Sequence, residues 1–146
     1  MLAIARSAVA AKYDHPVTDV HFLLLAVALT WLMIMTAGEL HTPTWTRAGF
    51  KLAFGNRDQM PDRSVLAGRA DRAAKNMLEN MVLFIAVFVA AKSVTVNAAH
   101  GSAVFLLARV AYFGAYLAGI IYVRSVLWAI ALGGLGWITL DVLSAG

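Results

Sequence analysis

The sequence predicts an all-α integral membrane protein, a four-helix bundle crossing the bilayer. Three observations carry that reading. Of its 146 residues 61% are hydrophobic and 14% charged, with a mean hydropathy of +0.74, whereas soluble domains run at about half apolar and about a quarter charged. Four long apolar stretches recur along the chain, more than one soluble core of this size could hide. A segment surrounded by lipid must also satisfy its own backbone hydrogen bonds, which favours helices.

The first span is expected over residues 17–37, with Pro16 close to its start and Gly38 just beyond its end, the usual asymmetry of helix termini. Residues 1–11 superficially resemble a secretion signal. Arg6 interrupts them and no basic leader precedes them, so a short extramembrane or interfacial lead-in is expected, not a cleaved signal. The second span is expected over residues 64–91. Its purely apolar part, residues 81–91, is too short to cross alone, so a polar stretch must form its other half. The third span, residues 103–121, carries Arg109 well inside it. The fourth, residues 125–143, holds Gly133, Gly134 and Gly136, which allow close helix approach.

The loops set the topology. Residues 39–63 hold Arg47, Lys51, Arg57 and Arg63, with Pro43 and Pro61 as breakers. Residues 92–102 hold one lysine, and a tight turn is expected at residues 122–124. The positive-inside rule then places the first and third loops in the cytoplasm and both termini on the non-cytoplasmic side. The polar half of the second span faces the cytoplasmic half of the membrane. With no evident retrieval or targeting tail, a bacterial inner membrane is the expected location.

Ionisable groups at bilayer depth are costly and usually face partner helices, water or a ligand. At 100° per residue Arg69, Arg72, Asn76, Glu79 and Asn80 fall in a sector of roughly 100° on one face of the second span. Arg109, Tyr112 and Tyr116, spaced by three and four, form a second stripe on the third span, and Arg124-Ser125 stand at the turn beyond it. Antiparallel packing brings these sets to similar depth. Arginines offer forked donors to carboxylates, Glu79 can receive an ammonium, and tyrosines supply hydroxyls. The set matches a peptide-like ligand with two carboxylates and one amine. The blander readings are interhelical salt bridges of Arg72 or Arg109 with Glu79, packing tyrosines, and Arg124 as a topology anchor.

Other chemistries find little support. The net charge of +4 is not gathered into a basic, aromatic-interleaved stripe, so no nucleic-acid partner is expected. The chain has no cysteine, so any thiol must arrive with a substrate. His15, His21, His41 and His100 lack metal-ligand spacing, so no metal site is expected. No glycine-rich phosphate loop follows a strand.

Residues 69–80, Arg-Ala-Asp-Arg-Ala-Ala-Lys-Asn-Met-Leu-Glu-Asn, resemble the signature of MAPEG, the membrane-associated proteins in eicosanoid and glutathione metabolism. Ala108-Arg109, Tyr112 and Tyr116, followed by Arg124-Ser125, resemble the family's third-helix and turn motif. The resemblance covers nearly the whole chain and suits a bacterial-type member. It implies a homotrimer with glutathione as cosubstrate, bound between subunits near the cytoplasmic side, and a lipophilic electrophile or hydroperoxide as second substrate. By motif position Arg69, Arg72, Asn76, Glu79, Tyr112 and Tyr116 would hold glutathione, and Arg109 would join them or brace the helices. Arg124 would favour the thiolate and Ser125 would donate a hydrogen bond to it. Two departures stand out. Val82 and Leu83 occupy places where the family commonly has a proline, and Gly68 replaces an acidic residue before the first arginine. Two rivals come from other classes: a small four-span transporter coupled through Glu79, and a non-catalytic membrane scaffold of the same fold.

Overall fold

A computed structural model of the chain describes residues 18–145, apart from residues 57 and 59. The lead-in, His15, Pro16, the opening of the first span at residue 17 and the position of Arg57 lie outside the described residues. Five helices follow one another: α1 (Asp19–His41), α2 (Arg47–Ala53), α3 (Val65–Ser93), α4 (Ala99–Ala118) and α5 (Ile121–Ser144). All except α2 are long and apolar enough to cross a membrane. The protein is a multi-pass integral membrane protein, all-helical among the described residues.

The middle of the bundle is α3 and α4. Helix α1 packs on both, α5 packs on both, and α1 and α5 do not meet. Helix α3 runs 29 residues without a break, about 44 Å at the usual rise. That exceeds a hydrocarbon core of about 30 Å, so its polar half continues the apolar half as one rod. Ser64 starts it by accepting a hydrogen bond from Ala67 N at 3.1 Å. With Val82 and Leu83 where a proline would remove a donor, the backbone ladder is unbroken.

Three rungs fix the antiparallel register of α3 against α4. Arg69 Nη1 donates to Leu117 O at 3.3 Å, Arg109 Nη1 donates to Asn76 Oδ1 at 2.8 Å, and Phe84 stacks on Phe105 with centroids 4.5 Å apart. Polar contacts serve one half of the pair and an aromatic core serves the other. At the far end of α3, Lys92 forms an ion pair with Asp19 of α1. The Asp19 carboxylate also accepts Ala98 N at 3.2 Å, capping the start of α4. One buried carboxylate thereby ties three helices.

The spans differ from the sequence expectation at four places. The first does not stop before Gly38 but runs through it to His41, since a glycine inside a packed span permits a helix as well as it ends one. The third begins at Ala99 and ends at Ala118, where Gly119 adopts φ +79°. In that left-handed conformation Ile120 N donates to Ala115 O at 3.0 Å and Gly119 N to Tyr116 O at 3.1 Å, which closes the helix. The turn expected at residues 122–124 therefore lies at Gly119–Ile120, and Arg124 and Ser125 sit in the first turns of α5. Apolar residues 120–123 suit a helix as well as a turn, so hydropathy gave no boundary there. Residues 39–63 were expected as one loop; instead residues 47–53 form α2, started by Thr46 Oγ1 accepting Gly49 N at 3.0 Å. Of the three fourth-span glycines, Gly134 alone makes the close approach within this chain: a Cβ there would stand 2.7 Å from Gly101 O, whereas Gly133 and Gly136 face open space.

Candidate functional site

The polar stripe of α3 lies along the seam between its buried and exposed faces. Asn80 is buried, Arg69 and Asn76 are half-buried, and Arg72 and Glu79 are exposed. The gradient follows from the 100° step: the buried face is set by Ala70, Ala73, Met77 and Phe84, and the stripe turns progressively away from it. Asn80 Nδ2 donates to Asn76 O at 2.8 Å, so it serves the helix more than a ligand.

Arg109 is fully buried. Its guanidinium lies over the rings of Phe105 and Tyr112, at 5.4 and 5.2 Å, and bonds Asn76 across the α3–α4 interface. Nε and Nη2 have no hydrogen-bond partner among the described residues, and neither has the buried Asn80 Oδ1. Each such buried group costs free energy until something satisfies it. Arg109 thus braces two helices and keeps two donors in hand. It does not pair with Glu79.

From Arg109 the chain of contacts continues outward along α4. Tyr112 is 5% exposed, and its ring meets Tyr116 edge-on at 5.4 Å. Arg124 of α5 stands over the Tyr116 ring at 4.7 Å. Neither tyrosine hydroxyl makes a hydrogen bond among the described residues. Tyr112, Tyr116, Arg124, Ser125, Trp128 and Ala129 line an open cleft of about 390 Å³, within the usual size of small-molecule sites.

The structure therefore gathers Asn76, Glu79, Arg109, Tyr112, Tyr116, Arg124 and Ser125 on one flank, with Arg72 on the same exposed strip. Arg69 is turned to another task. Its guanidinium lies against Gly119 and bonds Leu117 O, neutralising the carbonyl end of α4. Ser125 Oγ donates to Ile121 O at 3.2 Å, so its hydrogen points down its own helix and would have to rotate to reach a ligand. Arg72 and Glu79 form no ion pair or hydrogen bond among the described residues.

A larger cavity, about 690 Å³, opens on the other flank of α3, between it and the end of α1. Three of its charges are engaged with one another, Asp71 with Arg63 and, at 2.9 Å, with Lys75, and Asp62 alone of its charged residues has no ion pair or hydrogen bond among the described residues. Size alone would favour it; the partnerless charges and hydroxyls favour the smaller cleft. Ala129 in the cleft wall carried no sequence signal, because an alanine in an apolar span looks like any other.

The sequence pattern of the MAPEG family matches residues 20–144. The chain belongs to the MAPEG family. No curated protein and no solved structure matches it. MAPEG members include glutathione transferases and peroxidases; of the motif residues that carry the likeness, Arg72, Asn76, Glu79 and those of α4 and α5 lie on the flank just described, whereas Arg69 bonds Leu117 O and Asp71 and Lys75 line the larger cavity. For a MAPEG chain the departure at Gly68 bears on Arg72: a Cβ there would stand 3.3 Å from the Arg72 guanidinium, which would have to shift by a few tenths of an ångström.

Proposed function

We propose that this protein is a glutathione-dependent membrane enzyme, acting on a lipophilic electrophile or hydroperoxide. One observation carries the reading: Arg72, Glu79, Tyr112, Tyr116 and Arg124, whose charges and hydroxyls make no hydrogen bond or ion pair among the described residues, share a flank with a cleft, while the other charges of α3 are engaged. The residues fit the tripeptide by chemistry. Arg72 and Arg124 answer its carboxylates and Glu79 answers its ammonium, while the buried Arg109 braces the helices behind them.

Glutathione would supply a thiol, whose thiolate would attack an electrophilic carbon, expelling its leaving group, or the outer oxygen of a hydroperoxide, breaking the O–O bond to give the sulfenic acid and an alkoxide that leaves as the alcohol once protonated. The protein's own contribution is electrostatic. A free thiol near pKa 8.5 is mostly protonated at neutral pH, and the Arg124 cation beside it favours the thiolate. Tyr116 holds that guanidinium through its ring face, which fixes its direction at the cleft. Tyr112 and Tyr116 have hydroxyls available to hold the tripeptide or to protonate a departing oxygen. Trp128 gives the cleft an apolar wall, and the exposed apolar surfaces of α1 and α5 place it within lateral reach of the bilayer. The partnerless strip on α3 and the open cleft both end at the surface of one chain, which suits assembly as a homotrimer with the ligand at the seam. The charge placement of the loops puts that seam at the cytoplasmic side, with both termini opposite.

Calorimetric titration of glutathione into the detergent-purified protein tests the reading. Saturable binding at or below millimolar concentration is expected; its absence rejects the enzyme.

A further inference from the structure

We infer that the segment from Trp45 to Phe54 is a membrane-surface foot that binds anionic lipid headgroups, because it sets exposed aromatic rings beside lysine and arginine at the very end of a membrane span. Trp45, Phe50 and Phe54 are 74%, 53% and 73% exposed. Phe50 and Phe54 stack at 4.5 Å and form one row along α2. Arg47 and Lys51, also four residues apart, form the adjoining row. A short helix with rings on one side and cations beside them lies in the interfacial plane, the rings at the acyl boundary and the cations reaching phosphates.

The foot is built, not trailing. Glu39 at the end of α1 accepts Thr44 N at 2.9 Å and Thr44 Oγ1 at 2.7 Å. Thr46 Oγ1 donates to Pro43 O at 3.0 Å. Gly49 packs against the Pro43 carbonyl so closely that no side chain fits between them. Helix α2 is thereby pinned to the end of α1 and cannot drift from the surface where that span emerges.

Charge complementarity names the lipid. The foot itself, residues 45–54, contains Arg47 and Lys51 and no acidic side chain; of the flanking acids, Glu39 is taken up by Thr44, and Asp58 lies beyond the foot. Each basic residue close to an anionic leaflet strengthens association by about fivefold. The occupant is therefore the anionic leaflet of the protein's own membrane, continuous with the lipid around α1; a soluble protein docking on the same rings is the competing outcome.

The full-length protein in nanodiscs provides the test, with phosphatidylcholine alone or with about one-third phosphatidylglycerol. Two readouts serve. In a chain carrying Trp31→Phe, Trp128→Phe and Trp137→Phe, emission from Trp45 should be quenched by lipids brominated near the carbonyl end of the acyl chain and little by aqueous iodide. In the unaltered protein, tryptic cleavage after Arg47 and Lys51 should slow about fivefold or more when phosphatidylglycerol is present, and high salt should remove the protection. Arg47→Gln with Lys51→Gln should abolish the lipid dependence of Trp45 quenching. Iodide quenching of Trp45 as efficient as for a free indole would overturn the foot, leaving the rings as a surface for a soluble partner. Cleavage and quenching indifferent to phosphatidylglycerol would overturn its preference for anionic lipid. The tryptic readout needs no substitution and stands if the triple variant does not fold.

Discussion

The two ends of α3 handle charge in opposite ways. At its Lys92 end every charge is closed upon another: Lys92 on Asp19, and Asp19 also on the start of α4. At its Arg69 end the accounts stay partly open. Arg69 and Asp71 are engaged, but among the described residues Arg72 and Glu79 make no ion pair or hydrogen bond, and Arg109 keeps two unmatched donors between them and the core. Both ends belong to one continuous helix, so helix formation does not explain the difference. A closed pair holds the bundle together; a set left open beside a cleft is available to a guest.

Substitutions at the open end should alter chemistry, and those at the closed end should alter stability. The largest effect is expected for Arg124→Ala. Removing one preorganised charge from the reacting centre costs about 10²–10³ in turnover, and the rate should now rise only as pH approaches the ordinary thiol range near 8–9. Steady-state kinetics against pH, with glutathione and a chromogenic electrophile, would show this; an unchanged profile would remove Arg124 from the centre. Next comes Glu79→Gln. Loss of the acceptor for an ammonium should weaken glutathione about tenfold or more in titration calorimetry, with thermal stability unchanged because Glu79 holds no protein group. If stability fell instead, the strip would be structural.

Asp19→Asn sharpens the contrast from the other side. It leaves Lys92 unneutralised and weakens the cap on α4, at a cost of about 1–2 kcal/mol, read as a lower detergent melting temperature with unchanged glutathione affinity. Equal losses of affinity and stability would mean that the two ends are coupled. The smallest effect is expected for Arg69→Ala. Helix-end neutralisation contributes about 0.3–1 kcal/mol, so a modest drop in melting temperature is expected, with less than about threefold change in glutathione affinity. A tenfold loss of affinity would return Arg69 to the ligand set.

Much of this was legible in the sequence because period and composition encode it. Four spans, the polar half of α3 and the pairing of Asn76 to Glu79 with Arg109 to Tyr116 follow from a 3.6-residue repeat and antiparallel packing. What escaped depended on contacts distant in sequence. Nothing local marks Asp19 and Lys92 as partners, since each looks like an ordinary charge at a span end. Arg69 is indistinguishable from Arg72 by face; only the end of α4, three residues earlier than its hydropathy suggests, claims it. The turn to α5 was misplaced for the same reason: Ile120, Ile121 and Val123 are apolar whether or not they are helical. Helix α2 was hidden by its short length and by the prolines on either side.

Only Gly119 and Ile120 separate α4 from α5, and Gly134 lies against Gly101 and Phe105 farther along. Anchored at both points, α5 behaves as a stiff lever whose near end carries Arg124. The pivot at Gly134 lies about 15 Å away at the usual helical rise. A single methyl added at that pivot should tip the guanidinium off the Tyr116 ring, so the shape of the cleft depends on a residue that does not line it.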